Sequence, residues 1–280
     1  MQDWEEIIKG SYSKDLQERK TWYSSAADAY NKARPRYPQE LINRVVELAQ
    51  LPSKAAILEI GCGPGNATVG FAQLGFKIVC IEPNPEFCQL AQQNCASYPN
   101  VEIKNTAFED CNLENERFNA VLAATSIHWI SPDIVYSKAA DILQDNGCLI
   151  LLWNMTPQPH YEVYQDLKEV YQIHAPSFVR YEDRNTQEEI LKGLGQIVIN
   201  SGRFKDLVSE HIACEVTYHI DDYLLLLNSL SPYLALEEKT RNDLFEGLRE
   251  KIENNYGGSI QLSYLCAFQI AKKLRYSGQH

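Results

Sequence analysis

Between residues 55 and 154 the chain alternates short apolar runs with segments of helical period. The runs are residues 56–60, 77–81, 101–105, 119–124 and 148–153, and most are apolar at nearly every position. Continuous apolarity, as opposed to strict alternation, is the mark of strands buried on both faces of a parallel sheet. The segments between them, roughly 66–74, 84–97 and 132–143, have helix length and suitable periodicity. A β-α-β-α series of this kind predicts a doubly wound α/β sheet with right-handed crossovers and helices on both faces. Asp145-Asn146-Gly147 reads as a plain turn ahead of the fifth run.

The flanks follow other patterns. Residues 1–54 read as a polar helical cap with aromatic punctuation. Pro35 and Pro38 break helix and force extended backbone before each, and a helix over 39–50 then turns Leu41, Ile42, Val45, Val46 and Leu48 to one face. After Asn154 the alternation stops. Residues 155–212 read as a Tyr- and His-rich helical cap insertion. Residues 213–280 read as a strand (213–219), helices near 221–230 and 237–254, and a last strand-like run over 259–267 behind Gly257-Gly258. With no repeat, low-complexity tract or flexible linker, these parts predict one domain built on the 55–154 core.

Composition narrows the function. The chain has 280 residues, 45% hydrophobic and 22% charged, enough for a sizeable core. A net charge of -11 without any Lys/Arg run argues against a nucleic-acid partner. The acidic start MQDWEEIIKG lacks a cationic, apolar leader, and apolar stretches of about ten residues fall short of a membrane span, so a cytoplasmic protein with no membrane partner is expected. None of the eight cysteines sits in a CxxC pair. Cys80 and Cys148 lie inside strand-like runs, which predicts reduced thiols. The histidines outside the core show no HxxxH spacing, so no metal is expected.

The most informative segment is residues 57–68, ILEIGCGPGNAT, where a strand ends in a GxGxG turn and a helix begins. Glycines permit the sharp turn and let backbone approach a ligand, while the helix start offers free N–H groups. Dinucleotide sites use GxGxxG; here the third glycine comes one residue early. Glu59 precedes the loop, and a carboxylate suits an ammonium or sulfonium better than a diphosphate. Glu82, followed by Pro83, closes the second run about twenty residues on, where a carboxylate accepts bonds from ribose hydroxyls. An NAD-dependent oxidoreductase would also account for Glu82, but not for the loop spacing.

Residues 57–68 resemble motif I of class I S-adenosylmethionine-dependent methyltransferases, and IEPNPEF (81–87) resembles their second motif. NTAFEDCNL (105–113), FNAVLAATSIHWI (118–130) and DILQDNGCLILLWN (141–154) continue the resemblance, which is densest over 55–154. ARPRYP and LLLLNSLSPYLAL extend it toward the methyltransferase type 11, trans-aconitate methyltransferase-like group. The resemblance implies a Rossmann-like fold with a seven-stranded sheet and an antiparallel last strand. It implies that Glu59 and the Gly61 backbone bind the methionine amino group. Gly63 and Gly65 would leave room for the cofactor, Glu82 beside Pro83 would hold the ribose, and Ala107 and Phe108 would border the adenine. Thr106 stands where many relatives carry an acid, so Glu109 or backbone carbonyls would take over that contact.

The candidates for chemistry are fewer. His128-Trp129 follows the fourth run, at the sheet edge where open α/β sheets bind ligands. In relatives that methylate carboxylic acids such a pair resembles a clamp; alternatively His128 is the base for a hydroxyl substrate, or the pair packs in the core. Arg34 is a partner for a carboxylate of cofactor or acceptor, and Tyr30 for the sulfonium; the plain alternative is a surface turn with Arg stacked on Tyr. Trp153 and Asn154, at the end of the fifth run, face either pocket or core. The expected activity is S-adenosylmethionine-dependent methylation of a small-molecule acceptor, with O-methylation of a carboxylic acid leading. The alternatives are N- or C-methylation, a cyclopropane-synthase-like reaction on a small molecule or lipid, and a non-catalytic S-adenosylmethionine-binding partner protein.

Overall fold

The computed structural model describes residues 9–274. Residues 1–8 and 275–280, the outer ends of the two flanks, lie outside the described residues. Strands β1 (Ala56–Ile60), β2 (Lys77–Glu82), β3 (Val101–Asn105), β4 (Phe118–Ala124) and β5 (Leu143–Asn154) are all parallel, in the order β3-β2-β1-β4-β5. β8 (Ser259–Lys273) runs antiparallel beside β5, and β7 (Phe204–His219) closes the outer edge against β8. The expected antiparallel last strand is therefore present. The sheet has eight strands rather than seven, because a two-residue strand, β6 (Gln158–Pro159), also pairs with β8.

Alternation along each strand sorts the two faces. Leu58, Ile60, Val121, Ala123, Leu149 and Leu151 point one way, onto α6 (Pro132–Ile142) and α8 (Arg184–Asn200). Ile57, Ile78, Cys80, Leu122 and Ile150 point the other way, onto α3 (Gln39–Ala49), α4 (Thr68–Ala72) and α5 (Pro85–Asn94). A third apolar cluster joins α7 (Tyr161–His174), α9 (Ile220–Asn228) and α11 (Glu238–Tyr256) with the start of β8. Before the core, α1 (Leu16–Thr21) and α2 (Ala27–Ala33) lead to extended backbone at Arg34, as the following Pro35 requires. A four-residue α10 (Ser231–Leu234) follows α9.

Two elements differ from the sequence pattern. β7 begins at Phe204, nine residues before the expected position, so it takes the end of the 155–212 segment into the sheet. As an edge strand it alternates half-buried Ile212, Cys214 and Val216 with exposed neighbours, and a register shift between Lys205 and Val208 breaks the early period. Asp145-Asn146-Gly147 is not a turn ahead of β5. It lies in an irregularity within that strand, between the Phe118–Leu143 and Ala120–Cys148 pairs, with Asp145 and Asn146 exposed and Gly147 buried.

Candidate active site

The carboxyl ends of β1, β2, β4 and β5 open into one cavity of about 760 Å³, within the roughly 300–1,000 Å³ typical of small-molecule sites. The loop after β1 forms its floor. Gly61 N–H donates to the Ile81 carbonyl at 2.7 Å, and Gly63 N–H donates to Glu82 Oε2 at 2.9 Å. Both glycines have positive φ (64° and 55°). A Cβ on Gly63 would meet nothing within 4 Å, so its open side faces the cavity. Glu82 Oε1 accepts from Asn84 N–H at 2.8 Å. With each oxygen held by one backbone donor, a lone pair on each remains for a diol. Burial pushes the Glu82 pKa up to about 7, against the lowering effect of the Asn84 and Gly63 N–H groups.

Two loop residues lie off the cavity lining. Glu59 does not line the cavity; it is fully buried. It shares a strand face with Ile57, where Oε2 accepts from Thr68 Oγ1 at 2.6 Å, and burial raises its pKa to about 7. Its Oε2 thus holds the start of α4, while its buried Oε1 has no hydrogen-bond partner among the described residues. Gly65 also lies outside the lining; its missing side chain admits α5, since a Cβ would stand 3.3 Å from Cys95 Sγ. Pro83, Ala107, Phe108 and Glu109 line the adjoining wall, and Thr106 does not.

The other candidates converge at the far side. His128 and Trp129 lie in a 3-10 turn just past β4 (Ile127–Trp129), and both line the cavity. The His128 ring stands 5.8 Å from Trp129 and 6.0 Å from Trp153. Burial, then the Arg34 charge, lowers its pKa to about 4, so it is neutral near pH 7. Arg34 donates from Nε and Nη2 to the Ser229 hydroxyl (2.8 Å) and carbonyl (2.7 Å), with its guanidinium 4.7 Å from the Tyr30 ring centre. It is thus stacked on Tyr30, as the plain alternative has it, and also anchored at the cavity wall. Trp153 faces the cavity while its indole N–H donates to Gln269 Oε1 at 3.1 Å. Asn154 Nδ2 donates to the Pro35 carbonyl at 2.9 Å.

Three residues had no reading in the sequence. Lys138 on α6 donates to the carbonyls of Phe108, Glu109 and Cys111 at 2.6, 3.1 and 2.7 Å, fixing the wall that carries Phe108. Arg19 on α1 pairs with Glu109 at 2.7 Å and donates to the Trp129 carbonyl at 2.5 Å. Neither carries a local signal, since both act across the fold. Asn84, immediately before Pro85, was legible as a helix cap; its side chain accepts from Phe87 N–H.

S-adenosylmethionine fits these residues. Glu82 offers paired acceptors, Gly63 leaves an open cradle, and the buried Asn66 Oδ1 on the loop has no hydrogen-bond partner to compete with a donor ligand. The order of the parallel strands, the GxGxG turn and the carboxylate at the tip of β2 are the arrangement expected of a class I S-adenosylmethionine-dependent methyltransferase domain. Residues 57–147 match the family described as a methyltransferase domain. The chain is similar to an uncharacterized methyltransferase of Mycobacterium tuberculosis, 33% identical over 134 residues, covering 47% of this chain and 51% of that protein. It is also similar to one of Schizosaccharomyces pombe, 25% identical over 227 residues, covering 79% and 84%. It therefore spans about half the length of the mycobacterial relative. Among solved structures, the fold matches a protein of Anaeromyxobacter dehalogenans assigned as a type II methyltransferase, with a TM-score of 0.65, 18% identity and coverage of 87% and 99%. It also matches phosphoethanolamine N-methyltransferase 2 of Haemonchus contortus, solved with S-adenosylhomocysteine, with a TM-score of 0.53, 14% identity and coverage of 93% and 60%.

Proposed function

We propose that this protein transfers a methyl group from S-adenosylmethionine to a small molecule, and that the accepting atom is a carboxylate oxygen. The observation that carries the reading is the Gly63–Glu82 bond, which joins the loop and β2 into one cradle at the end of a cavity that continues to Arg34 and His128. When bound, S-adenosylmethionine supplies an electrophilic methyl on a sulfonium. Glu82 would hold its ribose hydroxyls, with Gly61, Gly63 and Pro83 beneath and Ala107 and Phe108 against the adenine. Tyr30 and Trp129 would exclude water, with Tyr23 packed edge-on against both. Acceptor contacts fall to His128, Trp129, Trp153 and Asn154, with Arg34 between the two ligands.

The electrostatics favour a carboxylate. A His128 with its pKa near 4 is a feeble proton acceptor, and a carboxylate nucleophile needs no proton removed. Its lone pair forms the C–O bond, the S–C bond electrons stay on sulfur, and the two opposite charges disappear into an ester and a thioether. Alignment and dehydration are then what the protein contributes. The test is transfer from labelled S-adenosylmethionine to acids, phenols and amines, with S-adenosylhomocysteine raising Tm. Gly63→Asp, whose side chain would enter the cradle, is expected to fold and to lose at least a hundredfold in cofactor affinity. Stabilisation by NADH instead would overturn the reading. Cofactor binding without transfer to any acceptor would leave a non-catalytic binding protein.

A further inference from the structure

The cavity's charges limit the acceptor. Three cationic side chains line it among the described residues, Arg19, Arg34 and Arg180. Arg19 is held by Glu109 at 2.7 Å, and Arg180 by Glu182 at 3.3 Å. Arg34 has no carboxylate partner among the described residues; its bonds go to Ser229. One free cation must therefore serve both the methionine carboxylate of the cofactor and the carboxylate of the acceptor.

Much of the remaining wall is apolar. Past β4 and β5, away from Glu82, the lining includes Ile130 and Met155 at the sheet edge, Phe178 and Val179 in the connection before α8, and Ile190 and Leu194 on α8 itself, interrupted by Thr156, Gln158, Ser177 and the Arg180–Glu182 pair. Ile130, Met155 and Leu194 are buried. The sheet order puts this end beyond β4 from the β1 loop, so a cofactor on Glu82 leaves it to the acceptor. A second carboxylate on the acceptor would lose its hydration there and meet no cation but Arg180, whose charge Glu182 already offsets.

From one unpaired arginine beside an apolar end we infer that the acceptor is a monocarboxylic acid with an apolar body, an aliphatic chain or an aryl ring, and not a di- or tricarboxylate. The inference rests on the carboxylate reading above and names the acid. The methyl goes to the carboxylate oxygen, the sulfonium leaves as a thioether, and no oxidant or further reactant is needed.

The experiment is a kcat/KM series with straight-chain acids from butanoate to decanoate and with phenylacetate, set against glutarate and citrate, using labelled S-adenosylmethionine. Each added methylene is expected to raise kcat/KM roughly fourfold until the end is filled, with glutarate and citrate near background. Val179→Lys, at a half-buried loop position, is expected to lower kcat/KM for decanoate about tenfold and to admit glutarate, while S-adenosylhomocysteine still raises its Tm. A series flat in chain length, or citrate or glutarate matching the monoacids in the parent protein, overturns the inference and leaves the carboxylate reading intact. Transfer to phenols or amines with no acid methylated overturns both. So does the absence of any Tm shift with S-adenosylhomocysteine.

Discussion

Glu59 and Glu82 sit on neighbouring strands, and burial raises both pKa values to about 7, yet only Glu82 reaches the cavity. Motif spacing marked both as ligand contacts. The difference is one of position along the strand: Glu59 lies inside β1, opposite Cys80, whereas Glu82 is the last residue of β2, where backbone donors of Gly63 and Asn84 hold it at the cavity. The same reasoning separates Gly63, which opens to the cavity, from Gly65, which packs on α5. Lys138 shows the opposite case, a residue with no motif and a defined task. An ammonium satisfying three loop carbonyls is worth more than a neutral donor, and its loss leaves those oxygens short of a partner. Lys138→Met is expected to weaken S-adenosylhomocysteine binding about tenfold, ~1.4 kcal/mol, while kcat at saturating cofactor is kept. Calorimetry alongside steady-state rates checks this, and an equal fall in kcat would count against a purely positioning role.

Among the elements, β1, β2, β4 and β5 and α3, α5 and α6 follow the apolar pattern to within a few residues, because each buries a continuous run or a single helical face, whereas β3 at the sheet edge is only half-buried. α1 is different: none of its residues is buried, and nothing in its sequence says where it docks. Two of its residues dock it: Arg19, whose guanidinium ties the loop at Glu109 to the carbonyl of Trp129, and Lys20, whose carbonyl accepts from Asn84 Nδ2 and whose ammonium stands 3.6 Å from Asp110. A partly buried ion pair of this kind contributes only where the geometry holds both partners, as two fixed loops do here. Arg19→Gln is expected to raise amide exchange through α1 and α2 by about tenfold, ~1.4 kcal/mol of lost docking, with β1 to β5 unchanged. Exchange mass spectrometry of the two proteins reads it directly, and an unaltered profile would show that α1 is held by other contacts.

For the molecule as a whole, buried ionisable groups link stability and cofactor affinity to pH with opposite signs. Glu59 and Glu82 bind protons more tightly in the fold, near 7, than their ordinary value of 4.5. The ligand-free protein therefore loses stability as pH rises from about 4.5 to about 7, and these two groups change it no further above that. Glu182, also raised by burial, adds in the same direction. His128, lowered from 6.5 to about 4, acts the other way between those values, one group against three. Ribose hydroxyls, in contrast, need the ionised Glu82, so S-adenosylhomocysteine affinity is expected to rise about tenfold per pH unit up to 7 and then level off. Tm and calorimetric titrations between pH 5 and 8 test both trends, with Glu82→Gln flattening the second; a ligand-free Tm that climbs from pH 5 to 7 would contradict the first. The amino-acid sequence by itself determined the parallel core, the glycine turn and the carboxylate that follows it, because local period and spacing are enough to specify strands buried on both sides and the loop between them. Only the tertiary structure decided which carboxylate lines the cavity, where β7 begins, how Arg19 and Lys138 brace its wall, and which arginine is left without a carboxylate partner among the described residues. Those outcomes depend on position along a strand, edge pairing and partners far apart along the chain, none of which a local pattern encodes.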